Sequence, residues 1–206
     1  MKSLKLTTAI LAIMVASTAN AALITFDDKG FVNFDDVTDQ YAADGVIFSG
    51  LEDFEPVDLE VVDGTVFSDS TPASPPFSLA NFFEDSTGNR ADVMSFNFLS
   101  PASSIEFDYN PAGSLGGDSI VNLYNSADLL IDSFTISDLY MGMTTPLHFH
   151  VVVPTMGVSR LDLVQPTDDW GHYVDNLAFD AAPAPGTLLL MGLGLLGLGA
   201  RRKNNS

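Results

Sequence analysis

The sequence predicts an all-β protein: an antiparallel β-sandwich of jelly-roll type, set between two apolar ends. Three observations predict it. Short runs rich in Val, Ile, Phe and Tyr alternate apolar and polar residues with a period of two. Clusters of Gly, Pro, Asn, Asp and Ser interrupt those runs every ~8–12 residues, the spacing of turns in sandwiches. Helical periodicity is nearly missing from the middle of the chain, and no internal repeat divides it.

Leu23-Ile24-Thr25-Phe26 is a first β-rich run, closed by Asp27-Asp28. Asp36 to Ala43 reads as one or two helical turns, with Asp36 or Thr38 as the cap and Gly45 as the stop. Val46 to Gly50 is a second strand. Leu59-Glu60-Val61-Val62 and Thr65-Val66-Phe67 flank Asp63-Gly64, a hairpin signal. Ser68 to Pro76 is a Ser/Pro-rich loop. Val93 to Leu99 alternates, with Met94, Phe96 and Phe98 on one side and Val93, Ser95, Asn97 and Leu99 on the other. Ser104 to Tyr109 repeats the pattern, with Ile105, Phe107 and Tyr109 inward. Ile120 to Tyr124 and Leu129 to Ile136 flank a turn at Asn125–Asp128. Leu147 to Val153, Val158 to Val164 and Tyr173 to Phe179 complete the set.

Charge narrows the function. Between residues 22 and 182 the only basic residues are Lys29, Arg90 and Arg160, while all 27 acidic residues lie there, a net charge of 3 − 27 = −24. Such a surface repels phosphate backbones and anionic lipid headgroups and attracts divalent cations. Nucleic-acid binding is thereby excluded. The chain has no Cys, which removes disulfides, thiol chemistry and Cys-based zinc sites.

Four constellations carry candidate chemistry. Asp27, Asp28, Asp175 and Asn176 offer hard oxygens from the first and last strands, which a jelly roll brings together, and a structural Ca²⁺ is the cofactor they could hold. The competing reading is plain turn and cap residues. His148 and His150 share one face of a strand; a Zn²⁺ site would need a third ligand, and polar surface is the simpler reading. Trp170, His172 and Tyr173 cluster where a loop enters a strand, so an aromatic face flanked by Asp168 and Asp169 could stack on a sugar ring. The alternative for Trp170 is a cap over the core. Paired carboxylates for glycoside cleavage have no distinctive setting, and no G-x-S-x-G, H-E-x-x-H or phosphate loop occurs. A non-catalytic protein is expected.

The two ends read as addresses. Met1 to Ala21 carries Lys2 and Lys5, an apolar run from Leu6 to Ala16, and Ala19-Asn20-Ala21 at the positions of a signal-peptidase cut. A secretory signal peptide over 1–21 follows, with export through the Sec route. At the other end, Pro183-Ala184-Pro185 precedes an uncharged run, 187–200, and the basic cluster Arg201-Arg202-Lys203. At ~1.5 Å per residue that run gives roughly 21 Å of helix, short of a ~30 Å hydrocarbon core. It can cross only with snorkelling or local thinning, and its glycines weaken the helix. The segment suits a transient stop in the inner membrane, with the basic cluster on the cytoplasmic side.

This tail resembles the PEP-CTERM sorting signal of Gram-negative bacteria that make exopolysaccharide. The family pattern is a Pro-Glu-Pro triplet, a Leu/Gly-rich span and an Arg-rich close; here Ala184 stands in the place of Glu. The resemblance implies recognition by exosortase over residues 183–206 and removal of the tail. The domain between, residues 22–182, is similar in plan to galactose-binding-like and carbohydrate-binding modules. That likeness rests on Ile24-Thr25-Phe26-Asp27-Asp28, Gln40 to Gly50 and Tyr173-Val174-Asp175-Asn176-Leu177-Ala178-Phe179. Together these imply a protein of the envelope, outer surface or extracellular matrix that touches the membrane only through its tail. The expected role is a structural or adhesive component of biofilm or exopolysaccharide, or alternatively a carbohydrate-binding module with a structural Ca²⁺.

Overall fold

The computed structural model describes residues 21–64, 72–81, 91–110, 118–136, 146–154, 157–164 and 172–181. Residues 1–20 of the expected signal peptide, the sorting tail, Thr65–Phe67, Asp168, Asp169 and Trp170 lie outside them; Ala21, the last residue before the expected cut, is described. The strands in chain order are β1 (Ala21–Ile24), β2 (Asp36–Val37), β3 (Val46–Glu52), β4 (Glu55–Val57), β5 (Leu59–Asp63) and β6 (Phe77–Ala80). There follow β7 (Val93–Asn110), β8 (Ser119–Tyr124), β9 (Leu130–Ile136), β10 (Leu147–Val151), β11 (Val158–Val164) and β12 (Tyr173–Ala181). Every pairing among them is antiparallel.

The two runs read separately at 93–99 and 104–109 are one strand, β7, and that strand builds both leaves of the sandwich. Its first half lies between β3 and β11, and the leaf continues from β3 to β4 and from β11 through β8 to β9. Its second half lies between β12 and β10; beyond β12 come β1 and, through β6, β5 and β2. The corner falls at residues 99–101. Val158 pairs with Ala102 and Arg160 with Asn97, so five steps of β7 oppose two of β11. Leu99 and Ser100 bulge into solvent there. Pro101 has no N–H, so the break in the ladder at that residue orphans no donor.

The fold-over is read directly from two rings. In a straight strand, residues 96 and 107 would be roughly 36 Å apart. The rings of Phe96 and Phe107 are 6.5 Å apart, centroid to centroid. They sit in a chain of aromatic contacts: Phe26 and Tyr41 each pack on Phe48, Phe48 on Phe96, Phe107 on Phe149, Phe149 on Tyr109, and Tyr109 on His172. Several pairs are edge-to-face, an arrangement that adds about 0.5–1.5 kcal/mol each beyond burial. The expected inward set Ile105, Phe107 and Tyr109 is buried, and of the two sides of 93–99 it is Met94, Phe96 and Phe98 that face the core, with Ser95 of the other side covered as well.

One local expectation is corrected. Asp36 to Ala43 does not form capped helical turns. Asp36 and Val37 pair with β5, and a single 3-10 turn, Ala42–Asp44, follows without a side-chain cap. Gln40 takes over the polar work, accepting from Thr38 N at 2.7 Å and donating to Asp36 O at 2.8 Å. Gly45 does stop the turn, at φ 102°. Besides β2, β5 pairs with β6, which comes after the Ser/Pro-rich loop and carries no alternation to announce it: Ser78, Leu79 and Ala80 are all buried.

Replacing Phe96 by Ala should cost about 3–5 kcal/mol, whereas Leu99→Ala at the exposed corner should stay within about 0.5 kcal/mol. Urea unfolding with a common slope would show the first midpoint fall and the second hold.

Candidate functional site

Strand β12 changes partner halfway along. Tyr173 and Val174 pair with β6, while Leu177 to Asp180 pair with β1. At the switch β12 bulges: Asp175 opposes Asp108 and Ala178 opposes Glu106, with Asn176 at φ 48° between them. The loop before β6, the start of β6 and the bulge of β12 present backbone donors that carboxylates take up. Asp27 Oδ1 accepts from Phe77 N at 2.9 Å. Asp175 Oδ2 accepts from Ser74 N at 2.6 Å, and its Oδ1 from Asn176 N at 2.7 Å. Ser74 Oγ shares one proton among the Asp175 oxygens and Asn176 Oδ1, at 3.0–3.1 Å.

The seam continues across the sheet. Asn176 Nδ2 donates to Asp108 Oδ2 at 2.7 Å, and Asp108 Oδ1 lies 2.8 Å from His148 Nδ1. Glu106 Oε1 lies 2.7 Å from His150 Nδ1. His148 and His150 thus share the outer face of β10, as alternation requires, and each meets a carboxylate of β7. Burial pushes the Asp175 carboxyl up to about 6, against the lowering effect of its Ser74 and Asn176 donors; the nearby Asp27 charge pushes the same way as burial.

Of the four oxygen-bearing residues expected at a cation site, the structure brings three into one region: Asp27, Asp175 and Asn176. Asp28 is engaged elsewhere, accepting from Tyr41 OH at 2.8 Å and lying 3.6 Å from Lys29 Nζ. Among the described residues no three His, Asp or Glu side chains converge as a metal-binding group. Calcium takes six to eight oxygens, and as arranged the seam spends its oxygens on backbone and hydroxyl donors. Of the aromatic trio, Trp170 lies outside the described residues and Tyr173 is half-buried at the start of β12. His172 is buried, with Nδ1 hydrogen-bonded to Tyr109 OH and its backbone N–H donating to Asn81 Oδ1 at 2.7 Å. Its ring belongs to the core, and so it forms no part of an exposed platform. Sequence reasoning missed Ser74, Glu106 and Asp108. The two acids occupied outward positions of an alternating run, a usable signal; Ser74 sat in a loop with none.

Comparison with known proteins adds two findings. Residues 181–203 match the PEP-CTERM protein-sorting motif. The motif marks an exported chain that exosortase processes and that carries a membrane-anchoring sorting signal at its C-terminal end. No curated protein sequence matches the chain. Among solved structures it is similar to the K2 cleaved adhesin domain of Lys-gingipain, at 11% identity and a TM-score of 0.52, covering 79% of this chain and 98% of that one. A family 29 carbohydrate binding module aligns at 15% identity and a TM-score of 0.44, over 79% of this chain and 88% of its own. A family 29 module from Piromyces equi aligns at 8% and 0.43, over 80% and 92%. The likeness to the adhesin domain is one of fold.

The seam sets a pH dependence. The native Asp175 carboxyl, at about 6, holds its proton where the unfolded one, near 3.8, has lost it. Between those values the native state binds more protons, so this group's contribution to stability falls as pH rises through the window and is level above it. Melting curves of wild type and Asp175→Asn across that range should converge in slope above about pH 6.5 and diverge below it.

Proposed function

We propose that the protein is a non-catalytic structural or adhesive component of the exopolysaccharide matrix, delivered to the cell envelope or outer surface by its sorting tail. The observation that carries this reading is the sorting motif at residues 181–203. The domain's chemistry is in keeping with it. A domain carrying −24 between residues 22 and 182 remains dispersed in a hydrated polymer and is repelled by anionic lipid. The polar cluster at the β12 switch is engaged in closing the sheet, with its oxygens already accepting backbone and hydroxyl donors.

A second reading is a carbohydrate-binding module with a structural Ca²⁺, with Trp170 and Tyr173 against the sugar. One observation favours it: Asp27 lies close enough to Asp175 to oppose its ionisation, a repulsion that a cation would relieve. Asp27, Asp175 and Asn176 would hold the ion, exchanging their present donors for it.

Expression of the full chain and of a truncation ending at Ala182 in a host with an exosortase separates these ideas from their failure. The full chain should be recovered from the envelope or matrix fraction, trimmed near Ala21 and near Pro183 by mass spectrometry, and the truncation should escape to the medium. Intact chain in the cytosol would refute the reading. In the same preparation, a rise in melting temperature on adding Ca²⁺ that Asp27→Asn abolishes favours the second reading; no rise favours the first.

A further inference from the structure

The hairpin joining β3 to β4 is built against its own stability. Its two turn residues, Asp53 and Phe54, both have positive φ, 48° and 71°. That geometry belongs to the two-residue hairpin turn in which the second position is normally Gly. A bulky residue there is an outlier, at about 1–2 kcal/mol of backbone strain. The residues flanking the turn, Glu52 and Glu55, are directly opposed in the register. The Phe54 ring gains nothing from the fold in return, being 95% exposed, the most exposed large apolar side chain among the described residues. The tip is nonetheless held in place: Asp53 N donates to Asp92 Oδ2 at 3.0 Å, across 39 residues.

Neither the turn's backbone geometry nor exposure to water favours such a residue, and strain of this kind points to use. A single flat ring standing proud of a surface suits a flat ligand face. The acidic residues around it, Asp53, Glu55 and Asp92, set the ligand's charge. We infer that the Phe54 tip is a contact site for a polysaccharide bearing protonated amino groups: the pyranose C–H face stacks on the ring while the ammonium group meets the ring face and the carboxylates. A basic peptide would supply the charge, but the edge strand beside the tip, β4, is three residues long and carries Pro56, so it offers an extended peptide few backbone partners. An anionic membrane is repelled. The inference names a partner for the matrix role proposed above and rests on that reading.

The test uses the full-length exported protein, wild type and Phe54→Gly, in retention assays on partly de-N-acetylated poly-N-acetylglucosamine, on the fully acetylated polymer and on polylysine. The wild type should be retained on the amine-bearing polysaccharide and released by salt, as screened charge requires. Phe54→Gly should lose about tenfold in affinity while melting about 2–4 °C higher, because the strain is relieved. Wild-type affinity in Phe54→Gly overturns the inference. So does equal wild-type retention on the acetylated polymer, or retention on polylysine as strong as on the sugar. If native matrix holds both proteins equally, the tip is not the contact but the matrix role stands; if it holds neither, the matrix role itself falls.

Discussion

The structure depends on one strand being long enough to turn back on its own core. β7 runs from Val93 to Asn110 and supplies a central strand to each leaf. The two leaves are therefore covalently one surface, and the space between them is set by what β7 presents from both halves. Phe96 and Phe107 meet across that space. Their contact fixes the distance between leaves, and the aromatic chain from Phe26 to His172 extends the same packing in both directions. A bend at Leu99, Ser100 and Pro101 is the condition for all of it, because a straight strand would separate the rings by several sheet spacings.

That dependence explains why some of the fold was legible in the sequence and some was not. Alternation marks a side chain's face: it grouped Met94, Phe96 and Phe98 on one side and placed Ile105, Phe107 and Tyr109 inward, and all six are buried. It carries no information on whether two alternating runs are one strand, because the bend at 99–101 interrupts the period whether or not the ladder continues. β6 was invisible for a different reason: its residues Ser78, Leu79 and Ala80 are buried without alternation. At Asp36–Val37 the local preference for a capped turn lost to pairing with Glu60 and Leu59, a tertiary contact that no window of sequence contains.

The candidate site follows the same division. Adjacency of the first and last strands was readable from the jelly-roll plan, and β1 does pair with β12 along its whole length. What the polar residues do there depends on a gap between β1 and β6 that only the register reveals. Backbone N–H groups at a sheet discontinuity need acceptors, and Asp27 and Asp175 provide them, with Asn176 and Asp108 passing the network on to His148. His172 shows the converse. Its neighbours in sequence suggested an aromatic platform, but the ring is drawn into the interior by Tyr109.

The position of β12 has a mechanical consequence. It is the last strand described, it ends at Ala181, and the sorting motif begins at that same residue. On one side it is zipped to β7, on the other to β1 and β6. Tension applied to the C-terminal end therefore enters along a strand flanked on both sides rather than peeling a loose flap. Where the resisting attachment loads those ladders lengthwise, many hydrogen bonds must yield together, so the tether is spliced into the grain of the domain.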